Sequence, residues 1–62
     1  MTLERITWND EITGETHEEL LIVVKESSVM LVAENSHGEA LWIPKIMILK
    51  RIPSLVQPGI GP

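Results

Sequence analysis

The sequence predicts a small all-β domain with five short strands. Its most informative segment, residues 29–48 (VMLVAENSHGEALWIPKIMI), contains two apolar runs separated by a polar turn with a glycine, the pattern of a β-hairpin. Pro44 follows the second run, and we expect it to end that strand because proline has no N–H for the ladder. The apolar residues are mainly Ile, Leu, Val and Met, and β-branched side chains favour strands.

The first part of the chain predicts one strand and a long loop. Residues 2–8 (TLERITW) alternate imperfectly with a period of two, which indicates a short strand. Residues 9–17 (NDEITGETH) are polar and acidic and include Gly14, as expected of a loop or a hairpin tip.

Residues 18–25 (EELLIVVK) fit either a helix or a strand. Thr16 with Glu19 three positions later is a capping-box pattern, whereas the β-branched run at residues 22–24 favours a strand. We prefer the strand, because the polar turn at residues 26–28 leads directly into the next apolar run at residues 29–33.

The end of the chain predicts a last strand and a tail. Residues 46–52 (IMILKRI) form the strand, although Pro44 could instead open a single helical turn. From residue 53 onward, repeated Pro and Gly interrupt regular structure. We therefore expect one β domain over residues 1–52 and a flexible tail over residues 53–62. Five strands in this order predict a small SH3-like barrel or a closely related meander, since closure reduces exposed edges.

Residues 25–48 also resemble a group of short phage and prokaryotic proteins. Those proteins carry a strand, a glycine turn and a Trp-Ile-Pro-Lys-Ser step, and this chain has Trp42, Ile43, Pro44 and Lys45 with Ile46 in place of the serine. The resemblance implies a small β-barrel with this hairpin, and it implies no activity, because the group has none established.

Size and composition restrict the classes of function. A chain of 62 residues forms one domain that buries only about 60% of its unfolded surface, and without cysteine it has neither disulfides nor the common zinc sites. We therefore expect association with copies of itself. The net charge of −4 argues against duplex-DNA binding. With no long apolar run and no secretory signal, we expect a cytoplasmic protein that does not contact membranes.

The two tryptophans are candidate contact residues. Trp42 lies inside an apolar strand, so we expect a core or barrel-rim anchor, with an exposed contact residue as the alternative. Trp8 ends the first strand beside polar residues, where a partly exposed aromatic can be a binding hot spot.

Charged residues form two groups. The basic cluster (Lys45, Lys50 and Arg51) follows Trp42, and such a combination can bind single-stranded nucleic acid, although lysines on edge strands more often prevent aggregation. The acidic group can attract a basic partner, although most charge runs are simply solvated. Its members are Asp10, Glu11, Glu15, Glu18 and Glu19, and Glu4 is a candidate sixth member.

No catalytic or metal-binding pattern is present in the sequence. His17 and His37 lack ligand spacing, and Ser27, Ser28 and Ser36 belong to no nucleophile–base motif. We predict no cofactor, no metal and no enzymatic activity.

We predict a binding module for protein–protein interaction or self-association. Weak binding of single-stranded nucleic acid through Trp42 and the basic cluster is the alternative. The predicted partner-binding residues are Trp8, Asp10, Glu11, Trp42 and Lys45.

Overall fold

The computed structural model describes residues 2–54, which form one antiparallel sheet of five strands. This confirms the all-β prediction. A 3₁₀ helix, Lys45–Met47, connects the last two strands, and within residues 2–54 no helix is long and apolar enough to cross a membrane. The strands are β1 (Thr2–Asn9), β2 (Thr16–Glu26), β3 (Met30–Glu34), β4 (Ala40–Pro44) and β5 (Ile48–Pro53).

The strands follow the order β4-β3-β2-β1-β5 across the sheet. Consecutive strands pair from β1 to β4, and β5 then returns to pair with β1. Strands β4 and β5 therefore lie at opposite edges, and no backbone pairing joins these edges within the described residues. Bulges between Val23 and Lys25 and between Thr7 and Trp8 interrupt the ladders, and bulges of this kind bend a sheet.

The ambiguous segment is strand β2, so the helical alternative for residues 18–25 is wrong. β2 pairs with β1 on one side and with β3 on the other. Its inward positions include Leu21 and Val23, which are buried. Burial between two neighbouring strands thus prevails over the capping-box pattern at Thr16 and Glu19, because that pattern stabilises only a helix end.

Two turns have backbone geometry that favours glycine. Gly14 has φ of +77°, and Gly38 has φ of +78°, a region that side chains with a Cβ rarely adopt. In the first turn, the Asp10 carboxylate accepts hydrogen bonds from the N–H groups of Ile12 and Thr13 at 2.8 and 3.0 Å. The loop at residues 10–15 is therefore an ordered hairpin connection.

The inner face of the sheet forms the core, and it reverses the predicted roles of the two tryptophans. Trp8 is only 9% exposed because β1 is flanked by β2 and β5, whereas Trp42 is 70% exposed on the edge strand β4. The predictions of a partly exposed Trp8 and a core Trp42 are therefore wrong, and the alternative of an exposed Trp42 is confirmed. The buried core consists of Ile6, Trp8, Leu21, Val23, Leu31, Ala33 and Ile43.

Strand β4 ends at Pro44, as predicted, although not for the predicted reason of a missing ladder N–H. The N–H of the next residue, Lys45, donates to the carbonyl of Val29 at 2.9 Å, so pairing continues past the proline. Pro44 lies opposite Met30 in a pair whose N–H groups point away from each other, so its missing N–H costs this ladder nothing. It also precedes the 3₁₀ helix, so a helical turn and a strand both follow it.

Strand β5 extends slightly beyond the predicted end of the domain. It includes Pro53, and the N–H of Ser54 donates to the carbonyl of Leu3 at 2.9 Å. The rest of the predicted flexible tail, residues 55–62, lies outside the described residues.

We expect Ile6→Ala to lower the free energy of unfolding by about 2–5 kcal/mol, because Ile6 is fully buried between the central strands. Urea unfolding followed by tryptophan fluorescence measures this loss. If the alanine variant does not fold, Ile6→Val should lose about 0.5–1.5 kcal/mol instead. Ile46→Ala is the control, since Ile46 is 86% exposed, and an equal loss in both would contradict the described core.

Candidate binding groove

An open groove lies between the loop after β1 and the edge strand β4. It consists of two adjoining hollows of about 190 and 300 Å³. Four residues line both hollows: Trp8, Asp10, Trp42 and Ile43. The first hollow is completed by Asn9, Glu11, Ile12 and Pro44, and the second by His17, Glu19 and Leu41.

One wall of the groove is formed by residues of the β1–β2 hairpin that contact each other. Trp8 lies directly opposite His17, and their rings are 5.3 Å apart with an interplanar angle of 36°. His17 Nε2 is 3.6 Å from Asp10 Oδ2. The indole, the imidazole and the carboxylate thus lie next to one another, which fixes the shape of this wall.

The Asp10 carboxyl has a pKa below its usual value. The N–H groups of Thr13 and Ile12, and then His17, lower the pKa of its carboxyl below the usual value. The hydrogen bonds that order the loop therefore also keep a carboxylate ionised at the groove.

Two further carboxylates at the groove have no cationic partner. Glu11 lines the first hollow and Glu19 the second, and neither forms an ion pair or a side-chain hydrogen bond within residues 2–54. With Asp10, they leave the groove with an excess of negative charge.

Trp42 contributes exposed apolar surface to the groove, together with Ile12, which is 91% exposed. The period of two along β4 places Leu41 and Ile43 on the core side, so Trp42 lies opposite Val32 on the other face of the edge strand. A large exposed aromatic beside carboxylates is well suited to contact a partner that is apolar and cationic.

The structure does not bring Lys45 to the groove. Its Nζ lies 2.7 Å from Glu26 Oε2, as part of an ion-pair network on the opposite side of the core. Arg51 joins the same network: its Nε and Nη2 donate to the two carboxylate oxygens of Glu4 at 2.7 and 2.9 Å, and its Nη1 donates to Glu26 at 3.1 Å. Of the predicted contact residues, Trp8, Asp10, Glu11 and Trp42 line one groove, and Lys45 belongs elsewhere.

The basic cluster is also divided. Lys45 and Arg51 are engaged with Glu26 and Glu4, while Lys50 lies opposite Thr7 on β1. A single-stranded nucleic-acid site needs cations next to an aromatic platform, and the cations of this cluster do not line the groove with Trp42. Nucleic-acid binding stays a prediction, with less support than the sequence alone gave it.

Sequence reasoning did not identify His17 and Glu19 as groove residues. Their positions follow from the β1–β2 register, which pairs His17 with Trp8 and Glu19 with Ile6, on the core side of the sheet. Recognising β2 as starting at Thr16 would have revealed both, because strand residues two apart share a face.

No protein family, curated protein or solved structure matches this chain. The groove and its charges therefore carry the functional argument.

The ion-pair network predicts a loss of stability in acid. Arg51 and Lys45 lower the pKa of Glu26 to about 2, and Arg51 also lowers the pKa of Glu4. Because both pKa values are depressed in the folded state, this stabilisation is present above the usual value of 4.5 and is lost as the pH falls towards 2. We expect the wild-type Tm to fall more steeply across this range than that of Glu26→Gln.

Thermal unfolding followed by circular dichroism at several pH values measures this difference. Glu34→Gln is the matched control, because the Glu34 side chain forms no ion pair within residues 2–54. Parallel pH profiles for wild type and Glu26→Gln would show that the network does not contribute to stability.

Proposed function

We propose that this chain is a small non-catalytic binding module that binds another protein through the groove between Trp8 and Trp42. The observation that carries the proposal is the 70% exposure of Trp42 in a groove with Glu11 and Glu19, which form no ion pair within residues 2–54. Tryptophan is enriched among the residues that dominate binding energy.

The distribution of charge supports a basic partner. Glu4, Glu18 and Glu26 are each within 4 Å of a lysine or arginine nitrogen, whereas the groove carboxylates are not. Carboxylates arranged in this way favour approach of a positively charged surface and penalise an acidic one.

The shape of the groove supports a protein segment rather than a small molecule. Pockets for small ligands are enclosed and mostly apolar, with volumes of about 300–1,000 Å³. This groove is open, its larger hollow measures about 300 Å³, and carboxylates line both parts. An extended segment of another protein fits this open groove better than a buried small molecule does.

We include an SH3-like barrel in the proposal as the finer description of the fold. The support is the return of β5 to pair with β1 after a 3₁₀ turn, together with the two bulges that bend the sheet. In such a barrel the edges of β4 and β5 approach each other, and the groove occupies the space near β4.

We expect Trp42→Ala to weaken partner binding by about 30-fold or more, since a central tryptophan hot spot contributes about 2 kcal/mol or more. Peptides of random sequence are first selected on the immobilised wild-type protein. Their affinities for wild type, Trp42→Ala and Val29→Ala are then measured by fluorescence anisotropy. Val29 is the matched control because it is also 70% exposed but does not line the groove.

Two outcomes would contradict the proposal. One is the selection of peptides that bind wild type and Trp42→Ala equally well. The other is the absence of any peptide ligand together with a concentration-dependent dimer in sedimentation experiments, which would make self-association the use of this surface.

A further inference from the structure

Strand β4 is an edge strand, and within the described part of the chain its outward backbone groups along the groove pair with no other strand. The N–H of Asn35 donates to the carbonyl of Glu39 at 3.1 Å, and the N–H of Lys45 donates to the carbonyl of Val29 at 2.9 Å. In an antiparallel ladder, hydrogen-bonded pairs alternate with pairs that point outward. The register directs the backbone N–H and C=O groups of Leu41 and Ile43 towards β3. It directs the backbone N–H and C=O groups of Ala40 and Trp42 away from the sheet.

The other edge strand is better protected. In β5, the hydrogen bond from Ser54 to Leu3 places the backbone of Arg51 and Pro53 on the outward side, and Pro53 has no N–H to offer. A bulge and Lys50 further disfavour pairing there. β4 (ALWIP) has no charged residue and no bulge against β3, and within residues 2–54 its protecting feature is Pro44 at one end.

The charges next to β4 select the kind of strand that can add there. Asp10, Glu11 and Glu19 line the groove on the core side of this edge. A second copy of this chain has a net charge of −4 and would bring the same carboxylates together. A basic segment instead brings complementary charge to them.

We propose that an extended peptide segment with Lys or Arg at every second position adds to the sheet as an antiparallel strand along Ala40–Pro44. The inference rests on the proposed function and names the partner chemistry of the same groove. The residue opposite Trp42 exchanges two hydrogen bonds with the Trp42 N–H and C=O, and its side chain lies on the Trp42 face. The neighbouring basic side chains point to the core side, towards Asp10 and Glu19.

Pro44 sets the length of the added strand. Its outward position has no N–H, so pairing weakens there, and β4 contains 5 residues. At about 3.3 Å per residue, the partner needs only about 16 Å of extended chain.

The test uses the synthetic peptide Lys-Val-Lys-Val-Lys-Val-Lys with blocked termini. The lysines face the groove carboxylates, so the valine side chains lie on the same face as Trp42. The backbone N–H groups of the valines then donate to carbonyls of β4. N-methylation of the valines removes these donors, whereas N-methylation of the lysines leaves them intact and serves as the matched control. We expect the valine-methylated peptide to bind on the order of tenfold more weakly than the lysine-methylated one.

Amide exchange of the protein, followed by NMR, provides the second measurement. Saturating peptide should slow exchange at the Trp42 amide on the order of tenfold, as expected when a new hydrogen bond of about 1 kcal/mol or more protects it. Equal affinities for the two methylated peptides, with no change at Trp42, would overturn strand addition.

Binding of the selected peptides and of the Lys-Val peptide distinguishes strand addition from the proposed function. If selected peptides require Trp42 but the Lys-Val peptide does not bind, the basic added strand is wrong and the groove remains the binding site. If the Lys-Val peptide binds wild type and Trp42→Ala equally but still distinguishes the two N-methylation patterns, strand addition stands and the Trp42 hot spot of the proposed function is wrong.

Discussion

The double pairing of Arg51 connects strands that are not neighbours in the sheet. This guanidinium reaches Glu4 on the neighbouring strand β1 and Glu26 at the far end of β2, while Lys45 contacts Glu26 from the 3₁₀ helix. One charge cluster therefore joins β1, β2, β5 and the connection from β4. The domain has a small core and no cysteine. These contacts connect β2 with β5, two strands that no backbone pairing joins within residues 2–54.

The same pairing determines the electrostatics of the surface. Two of the chain's 5 basic residues, Lys45 and Arg51, are used beside Glu4 and Glu26. Among the carboxylates beside Trp8 and Trp42, Asp10 pairs with His17, and Glu11 and Glu19 form no ion pair within residues 2–54. A chain with a net charge of −4 thus acquires an acidic groove with an exposed indole at its edge.

The sequence was sufficient for the strands and insufficient for the contacts between distant residues. Apolar runs and Gly turns predicted all five strands, and the short turn at residues 26–28 correctly favoured a strand for β2. The roles of Trp8 and Trp42 were reversed because burial depends on strand order: β1 is interior and β4 is an edge. The pairing of Arg51 with Glu4 spans 47 positions, and no local pattern indicates it.

The central claim is that the groove favours cations over anions, and tryptophan emission tests it directly. Trp8 and Trp42 both line the groove, and the chain has no tyrosine to interfere. A short single-stranded oligonucleotide and a short lysine-rich peptide are titrated separately at low salt. We expect the peptide to change the emission, with an effect that weakens as salt is added, and the oligonucleotide to leave it unchanged. Salt-sensitive quenching by the oligonucleotide, with no response to the peptide, would contradict the claim.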